Sequence, residues 1–431
     1  MRLPFEELAE LGGGVNDLQP EDRAVHRWYN FVLSFPPHLV RQYLGSFGTG
    51  PGQSVLDPFC GTGTTPVECK KLGIAGIGIE AIPMSHFASS VKTDWTPDAD
   101  GLVAHACSVA DHARELIGAD QSGWQPRTAD GLRTLPPEKL HLLIKDSISP
   151  LPLHKALVLI EAIEAAHDPA LSGHELLALA SVLPTEIGNL RFGPEVGVGQ
   201  IREDSPVVDV WLAEVKAMAD DLRVMGTGGD APSMVCCADA RRPMQVLQER
   251  SIDAVITSPP YPNEKDYTRI VRLESVLLGF MDDRSGLRRT KQSLLRSNTR
   301  NVFRADEDHR LVEGHESIQR IARRIEERRI ELGKTSGFEK NYHRAALLYF
   351  GGMKRHFADL RAALRPGARL AYVVGDQASY LRVMIRTGQL LAEIAEALGY
   401  EVEGIDLFRT RMATATREQL REEVLVLRWP G

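Results

Sequence analysis

Two short stretches carry residue types suited to group-transfer chemistry. The first is "DAVITSPPYPN", residues 253–263. Asp253 to Thr257 is an apolar run with β-branched residues, long enough for a strand covered on both faces. Pro259 and Pro260 end it, because neither donates a ladder hydrogen bond and each fixes φ. Ser258 and Tyr261 are then held in a stiff turn at the sheet's carboxyl edge, where open α/β sheets bind ligands. Alone, PPY is also an ordinary proline-rich turn. The second stretch, "DPFCGTGTT" (57–65), places two glycines between a strand and a helix start. Close backbone approach and exposed N–H groups there suit an anionic or carboxylate ligand. Glu80 ends the next strand, 23 positions beyond Asp57. That is the spacing for an acid that accepts the hydroxyls of an adenosine ribose. The turn lacks the third glycine of a dinucleotide fingerprint and the GK[ST] of a P-loop.

Three α/β regions position these residues. In "QSVLDPFCGTGTTPVECKKLGIAGIGIEA" (53–81), Val55 to Phe59 reads as a strand and Gly61 and Gly63 as the turn. Thr64 or Thr65 caps a helix with Pro66 in its first turn, Gly73 stops it, and Ile74 to Ile79 is the next strand. The second region runs from "MVCCADARR" (234–242) to "SIDAVITSPPY", two strands joined by a short polar crossover. Alternation along the first of these sends Cys236 and Cys237 to opposite faces, both read as core. The third is "HFADLRAALRPGARLAYVVGDQ" (356–377), then a helix at about 388–398 and strands at 401–409 and 422–429. Strands alternating with helices predict a mostly parallel sheet with helices on both faces. Residues 96–230 interrupt it with helical pattern, becoming loop-like in "IGNLRFGPEVGVGQ"; residues 281–344 interrupt it with charge. The domain reading is 1–95 as an N-terminal helix and the cofactor half, 96–230 as the helical insertion, and 231–431 as the second half.

The chain's 431 residues, 43% hydrophobic and 25% charged, describe a globular protein of one large or two smaller domains. No apolar run approaches the roughly 18 residues of a membrane helix. The acidic "MRLPFEELAELGGG" start does not read as a secretory signal. Five cysteines without CxxC or His–Cys spacing fit a reducing cytoplasm and argue against a metal site. A net charge of −7 excludes a uniformly basic coat, so nucleic acid would need a local patch. "RSGLRRTKQSLLRSNTRNVFR" (284–304) is one, with seven Lys or Arg and no acid. Arg288, Arg289, Lys291, Arg296 and Arg300 are its candidate phosphate contacts, with "SNTRN" adding short polar donors; a solvated face is the other reading. Residues 318–333 read as an exposed helix laced by i,i+4 ion pairs.

"DPFCGTGTT", the acid-terminated "GIGIE", "CADA" and "TSPPY" together resemble the S-adenosylmethionine-dependent amino-methyltransferases. They look most like DNA methyltransferases that modify exocyclic amino groups, the cytosine-N(4) kind in particular. The resemblance covers the three α/β regions and implies a class I methyltransferase (Rossmann-like) fold with a seven-stranded sheet. It also implies that Asp57, Phe59, Cys60, Gly61, Thr62, Gly63 and Thr64 surround the cofactor's methionine end. Glu80 would hold the ribose and Asp239 face the adenine amino group. "WYNFVLSFPPHLVRQYL" (28–44) resembles the helix that flanks the cofactor in this family, and equally an ordinary packing helix. Members with this wording often carry the PPY block first; here the glycine turn comes first, nearly 200 residues earlier.

An exocyclic amino nitrogen is a poor nucleophile because its lone pair is delocalised into the ring. Acceptors for its two N–H groups let it pyramidalise toward a sulfonium methyl. By resemblance, Ser258 and the Pro259 carbonyl are those acceptors, Pro260 stiffens the turn, and Tyr261 stacks on the extruded base. Cys60 reads as a packing residue within the turn. The implied partners are double-stranded DNA and a cognate restriction endonuclease, in a bacterial, nucleoid-associated setting, with no membrane and no metal. Adenine-N(6) methylation, RNA or protein-glutamine methylation, and a non-catalytic nucleic-acid-binding subunit are the alternatives.

Overall fold

The computed structural model describes residues 18–29, 34–119, 131–193, 195–226, 231–412 and 419–431. The acidic start and part of the 28–44 segment therefore lie outside the described residues. Seven strands form one sheet: β1 (Ser54–Asp57), β2 (Ala75–Glu80), β3 (Ser233–Cys237), β4 (Ile252–Thr257), β5 (Leu364–Gly375), β6 (Glu401–Met412) and β7 (Gln419–Arg428). Their order is β3-β2-β1-β4-β5-β7-β6. The first five are parallel, and β7 runs antiparallel to both its neighbours. This is the class I methyltransferase arrangement. The longer helices are α1 (Pro37–Phe47), α2 (Thr64–Lys71), α3 (Pro83–Lys92), α4 (Ala99–Ala119), α5 (Pro150–Ala165), α6 (Ser172–Val182), α7 (Val207–Met225), α8 (Arg284–Ser293), α9 (Glu316–Glu331), α10 (Tyr342–Leu360) and α11 (Thr387–Ala397).

Two-residue alternation decides which side of the sheet each residue buries. Val55, Ile256, Val373 and Val424 pack with Leu39, Val40 and Leu44 of α1 on one face. Leu56, Val255, Tyr372 and Leu425 pack with Tyr349, Phe357 and Ile394 of α10 and α11 on the other. With both faces covered, the central strands read as continuous apolar runs. The helical stretch has its own core, in which Trp211 and Val215 of α7 meet Leu159, Leu177 and Ala106.

Local chemistry departs from the sequence reading in several places. Gly63, at φ 90°, is the N-cap of α2, and no side chain caps that helix. A Cβ on Gly63 would lie 2.5 Å from Ser89 Oγ, so the capping position admits only glycine. Thr65 instead donates across the sheet to the Ile256 carbonyl, at 3.0 Å. Cys237 is exposed and Cys236 half-buried rather than core, because β3 is the sheet's edge. The polar stretch between β3 and β4 is, as expected, a crossover, since β2 and β1 lie between the two strands. "IGNLRFGPEVGVGQ" contains a small hairpin, pairing Leu190–Arg191 with Gly197–Val198. The ion pairs of α9 span i,i+3 and i,i+7, as in Arg328–Glu331 and Arg324–Glu331, not i,i+4.

The basic segment divides in two. Arg288, Arg289 and Arg300 are exposed, but Arg296 is 3% exposed. Its guanidinium donates to Asp306 at 2.9 Å and to the Lys291 and Gln292 carbonyls, closing the loop after α8. Lys291 reaches Asp266 at 2.7 Å. Ser297, Asn298 and Asn301 of "SNTRN" are buried too. Arg296 is therefore a structural residue, and the short polar donors face inward rather than toward a groove. Removing it takes its donors from Asp306 and from the Lys291, Gln292 and Leu294 carbonyls. Arg296→Ala is expected to lose about 3–5 kcal/mol in urea denaturation, whereas Arg289→Ala leaves the midpoint unchanged; equal midpoints for both would remove Arg296 from the fold's framework.

Candidate active site

The strand order runs outward in both directions from the β1–β4 pair, so their carboxyl ends form the sheet's switch point. Asp57 and Thr257 end these strands and are fully buried. Thr257 Oγ1 donates to Asp57 Oδ1 at 2.5 Å, and the Phe59 N–H donates to the same oxygen at 3.1 Å. One carboxylate thus ties the glycine turn to the proline turn. Asp57 Oδ2 is buried with no hydrogen-bond partner.

Beside this junction opens a cavity of about 450 Å³, lined by parts of both motifs. Phe59, Cys60, Gly61, Thr64, Glu80, Ser258, Pro259, Pro260 and Tyr261 all reach its wall. Asp57, Thr62, Gly63 and Asp239 do not. Asp57 acts from behind the turn. The Asp239 carboxylate is bound to Arg241, at 2.6 Å, and Arg241 also reaches Asp308 at 3.1 Å. Its neighbour Ala240 lines the cavity instead.

The glycine turn is built for close approach. Gly61 sits at φ 53°, and its N–H donates to Glu80 Oε2 at 3.0 Å. Glu80 Oε1 accepts from the Ile82 N–H at 2.7 Å. Burial pushes both Asp57 and Glu80 up to about 7, against these hydrogen bonds. Phe59 is backed by the His356 ring, at 5.1 Å between centroids. His356 donates from Nδ1 to the Ala240 carbonyl and accepts at Nε2 from the Tyr372 hydroxyl, both at 2.6 Å. Burial holds it down at about 4, so it is a neutral prop rather than a base.

The proline turn lies along the end of β5. Ser258 Oγ donates to the Val373 carbonyl at 3.1 Å, which occupies the hydroxyl proton and leaves the oxygen's lone pairs as acceptors. The Tyr261 ring rests on Gly375: a Cβ there would lie 2.9 Å from Tyr261 Cε2. Hydroxyl and ring are therefore held by alternate residues of one strand.

Ser34 and Phe35, from the 28–44 segment, also reach the wall, and Glu264, Lys265, Gln377, Phe408, Arg409 and Glu422 line it without belonging to any motif. Glu264 and Lys265 were findable as the continuation of the PPY turn. Gln377 follows the apolar run of β5 at the same sheet edge, which was the available signal for it. Phe408 and Glu422 arrive through the β6–β7 pairing, which no local pattern announces.

The donor set fits an adenosine-bearing methionine sulfonium. A carboxylate on the cavity wall suits a diol, glycine backbone suits a close-lying amino-acid end, and Phe59, Ile82 and Ala240 offer apolar cover. A second, shallow cavity of about 560 Å³ is lined by Arg272, Arg284, Arg288, Lys291 and Arg300, with Leu142 and Phe303. Arg289 is not among its walls and donates to Ser285 Oγ at 2.7 Å. Among the described residues, no cluster of His, Cys, Asp and Glu could hold a metal ion.

The family model N6_N4_Mtase, described as DNA methylase, matches residues 16–86. The chain is 25% identical over 434 residues to the type II methyltransferase M.BsoBI of Geobacillus stearothermophilus, covering 92% of this chain and 83% of the relative. It is 24% identical over 448 residues to the type II methyltransferase M.AvaI of Anabaena variabilis, covering 94% and 86%. Among solved structures, TrmN from Thermus thermophilus aligns over 96% of this chain and 54% of its own, with 11% identity and a TM-score of 0.32, too low to bear on the reading. The family model and the two long relatives together support a DNA methyltransferase of the N4/N6 amino-group family.

Proposed function

We propose that this protein transfers methyl from S-adenosylmethionine to the exocyclic N(4) amino group of cytosine at a specific site in duplex DNA. Its setting is a restriction–modification or defence system with a cognate endonuclease. The observation that carries the reading is Ser258: its proton is engaged by Val373, so its oxygen faces the cavity as an acceptor beside Tyr261. The cofactor supplies an electrophilic methyl group when bound. The chain's own residues orient and exclude. Ser258 Oγ and the Pro259 carbonyl accept from the amino group, turning its lone pair out of the ring plane. Tyr261 stacks on the base, and Pro260 holds ring and carbonyl in fixed relation. No neighbouring group need act as a base in this scheme: the nitrogen gains the methyl as the methyl's bond to the donor sulfur breaks, and the resulting cationic nitrogen releases its proton to water. Asp57 is a positioning residue, while Phe59, Gly61 and Glu80 contact the cofactor. Preference for cytosine over adenine rests on resemblance, since family members with Ser before PPY are mostly cytosine-N(4) enzymes.

Digestion of DNA methylated by the protein, with nucleosides resolved by mass spectrometry, is expected to give N(4)-methylcytosine. N(6)-methyladenine alone would move the target to adenine; methyl on RNA or on glutamine, with none on DNA, would overturn the reading.

Cofactor binding should titrate with Glu80. A ribose diol donates to the ionised carboxylate, so binding draws the proton off a group whose free value is about 7. Affinity for S-adenosylhomocysteine is expected to rise with pH by up to about tenfold per unit below neutrality and to level off above it. Calorimetric titration from about pH 6 to about pH 8 checks this, and Glu80→Gln should flatten the slope. A slope unchanged in that variant would place the diol elsewhere.

The shallow basic groove is the proposed grip on the DNA backbone; Arg284, Arg288 and Arg300 are its exposed cations, and Arg288 and Arg300 are the proposed contacts. Replacing both with Ala should reduce the salt dependence of DNA binding by a slope of about one per lost contact. Arg289→Ala, outside the groove, should leave it intact; equal effects of Arg288→Ala and Arg289→Ala would make the helix a merely solvated face.

A further inference from the structure

Gln377 is a buried side chain whose donor is unused. It lies two residues beyond Gly375, is 2% exposed and lines the same cavity as Ser258 and Tyr261. Its Nε2 is buried with no hydrogen-bond partner. A Cβ placed on Gly375 would sit 3.4 Å from that nitrogen and 2.9 Å from the Tyr261 ring, so amide and ring flank one glycine. The backbone beneath is clamped. The Gln377 N–H donates to the Ile385 carbonyl at 3.0 Å, and the Ile385 N–H donates back at 2.7 Å. Buried donors are almost always satisfied. One held rigid on the wall of a cavity is a donor whose partner is the ligand.

The order of contacts along β5 says which part of the ligand that is. Val373 holds Ser258, Gly375 supports Tyr261, and Gln377 comes next on the same side of the chain, since alternate residues share a face. A base stacked on Tyr261 with its amino group at Ser258 and Pro259 has a ring nitrogen beside that amino group, and this nitrogen is an acceptor. We infer that Gln377 Nε2 donates to the ring nitrogen adjacent to the methylated amino group (N3 of cytosine), reading the Watson–Crick edge of the extruded base. This rests on the proposed methyl transfer to DNA. It adds a base-reading residue that no motif contains. The hydrogen bond also favours the base with an acceptor at that position and a neighbouring amino group, so it helps reject thymine, whose N3 is a donor.

The test is a cycle with one change on each side of the contact. A duplex bearing the protein's own methylated site is made with cytosine or with 3-deazacytosine, in which C–H replaces N3. For the parent protein, the deaza base should lower kcat/KM by roughly ten- to hundredfold. Gln377→Met, similar in length but without a donor, should lower it by a similar factor on cytosine and show no further loss on the deaza duplex. Affinity for S-adenosylhomocysteine should match the parent, showing an intact fold. Gln377→Glu, which turns the donor into an acceptor, should also be impaired. Losses that multiply, Gln377→Met at parental rate, or Gln377→Glu at parental rate would each overturn the assignment. A parent protein that methylates no DNA would instead overturn the function on which it rests.

Discussion

The hydrogen bond between Asp57 and Thr257 is the constraint on which the site depends. It joins residues 200 positions apart, at the ends of the two central strands. The same carboxylate oxygen receives the Phe59 N–H, so the start of the glycine turn and the start of the proline turn share one atom as reference. If that oxygen moves, the cofactor wall and the Ser258 hydroxyl lose their common origin. Burying an acid this deeply raises its proton affinity, which is why Asp57 sits up at about 7. Its unpartnered second oxygen adds to the cost of the arrangement.

The remaining polar groups of the site serve position rather than proton transfer. His356 is surrounded by two hydrogen-bond partners and kept neutral, with its ring behind Phe59. Ser258 is anchored through its proton. Tyr261 lies against a glycine that leaves no room for a side chain. Glu80 is bracketed by two backbone N–H groups that aim it at the cavity. Each group is fixed before a ligand arrives, which limits the reorganisation left to the reaction itself.

The sheet and both motifs were legible because their signals are local. Apolar runs with β-branched residues, glycines between a strand and a helix, and prolines at a strand end each reflect a backbone requirement of a few neighbouring residues. What sequence did not show depends on distant partners. Arg296 and Arg300 look alike in a basic run, yet one is bonded to Asp306 in the interior and the other is exposed. Cys236 and Cys237 follow the alternation of a core strand, but β3 has a neighbour on one side only. Thr64 and Thr65 look like caps, while the close approach of Ser89 reserves that position for Gly63. Asp239 matches a motif and faces Arg241. Gln377 follows the apolar run of β5, but nothing beside it in sequence marks its side chain for the cavity.

The placement of β4 after the helical region has a consequence for how the chain comes together during synthesis. At about 5–20 residues per second, β4 leaves the ribosome roughly 10–40 s after β1. Through that interval β1 and β2 have neither their central neighbour nor the cover of α10, and the edge of β1 is open to pairing with other chains. The helices from α4 to α7 pack mostly on one another, but their core also takes in Val67 of α2, Met84 and Ala88 of α3, and Val271, Leu273 and Val276 beyond β4. Its α7 ends at Met225, eight positions before β3 begins at Ser233 on the edge of the half-sheet. The last pieces of that core follow the proline turn directly, so the insertion and the site are completed by the same stretch of chain.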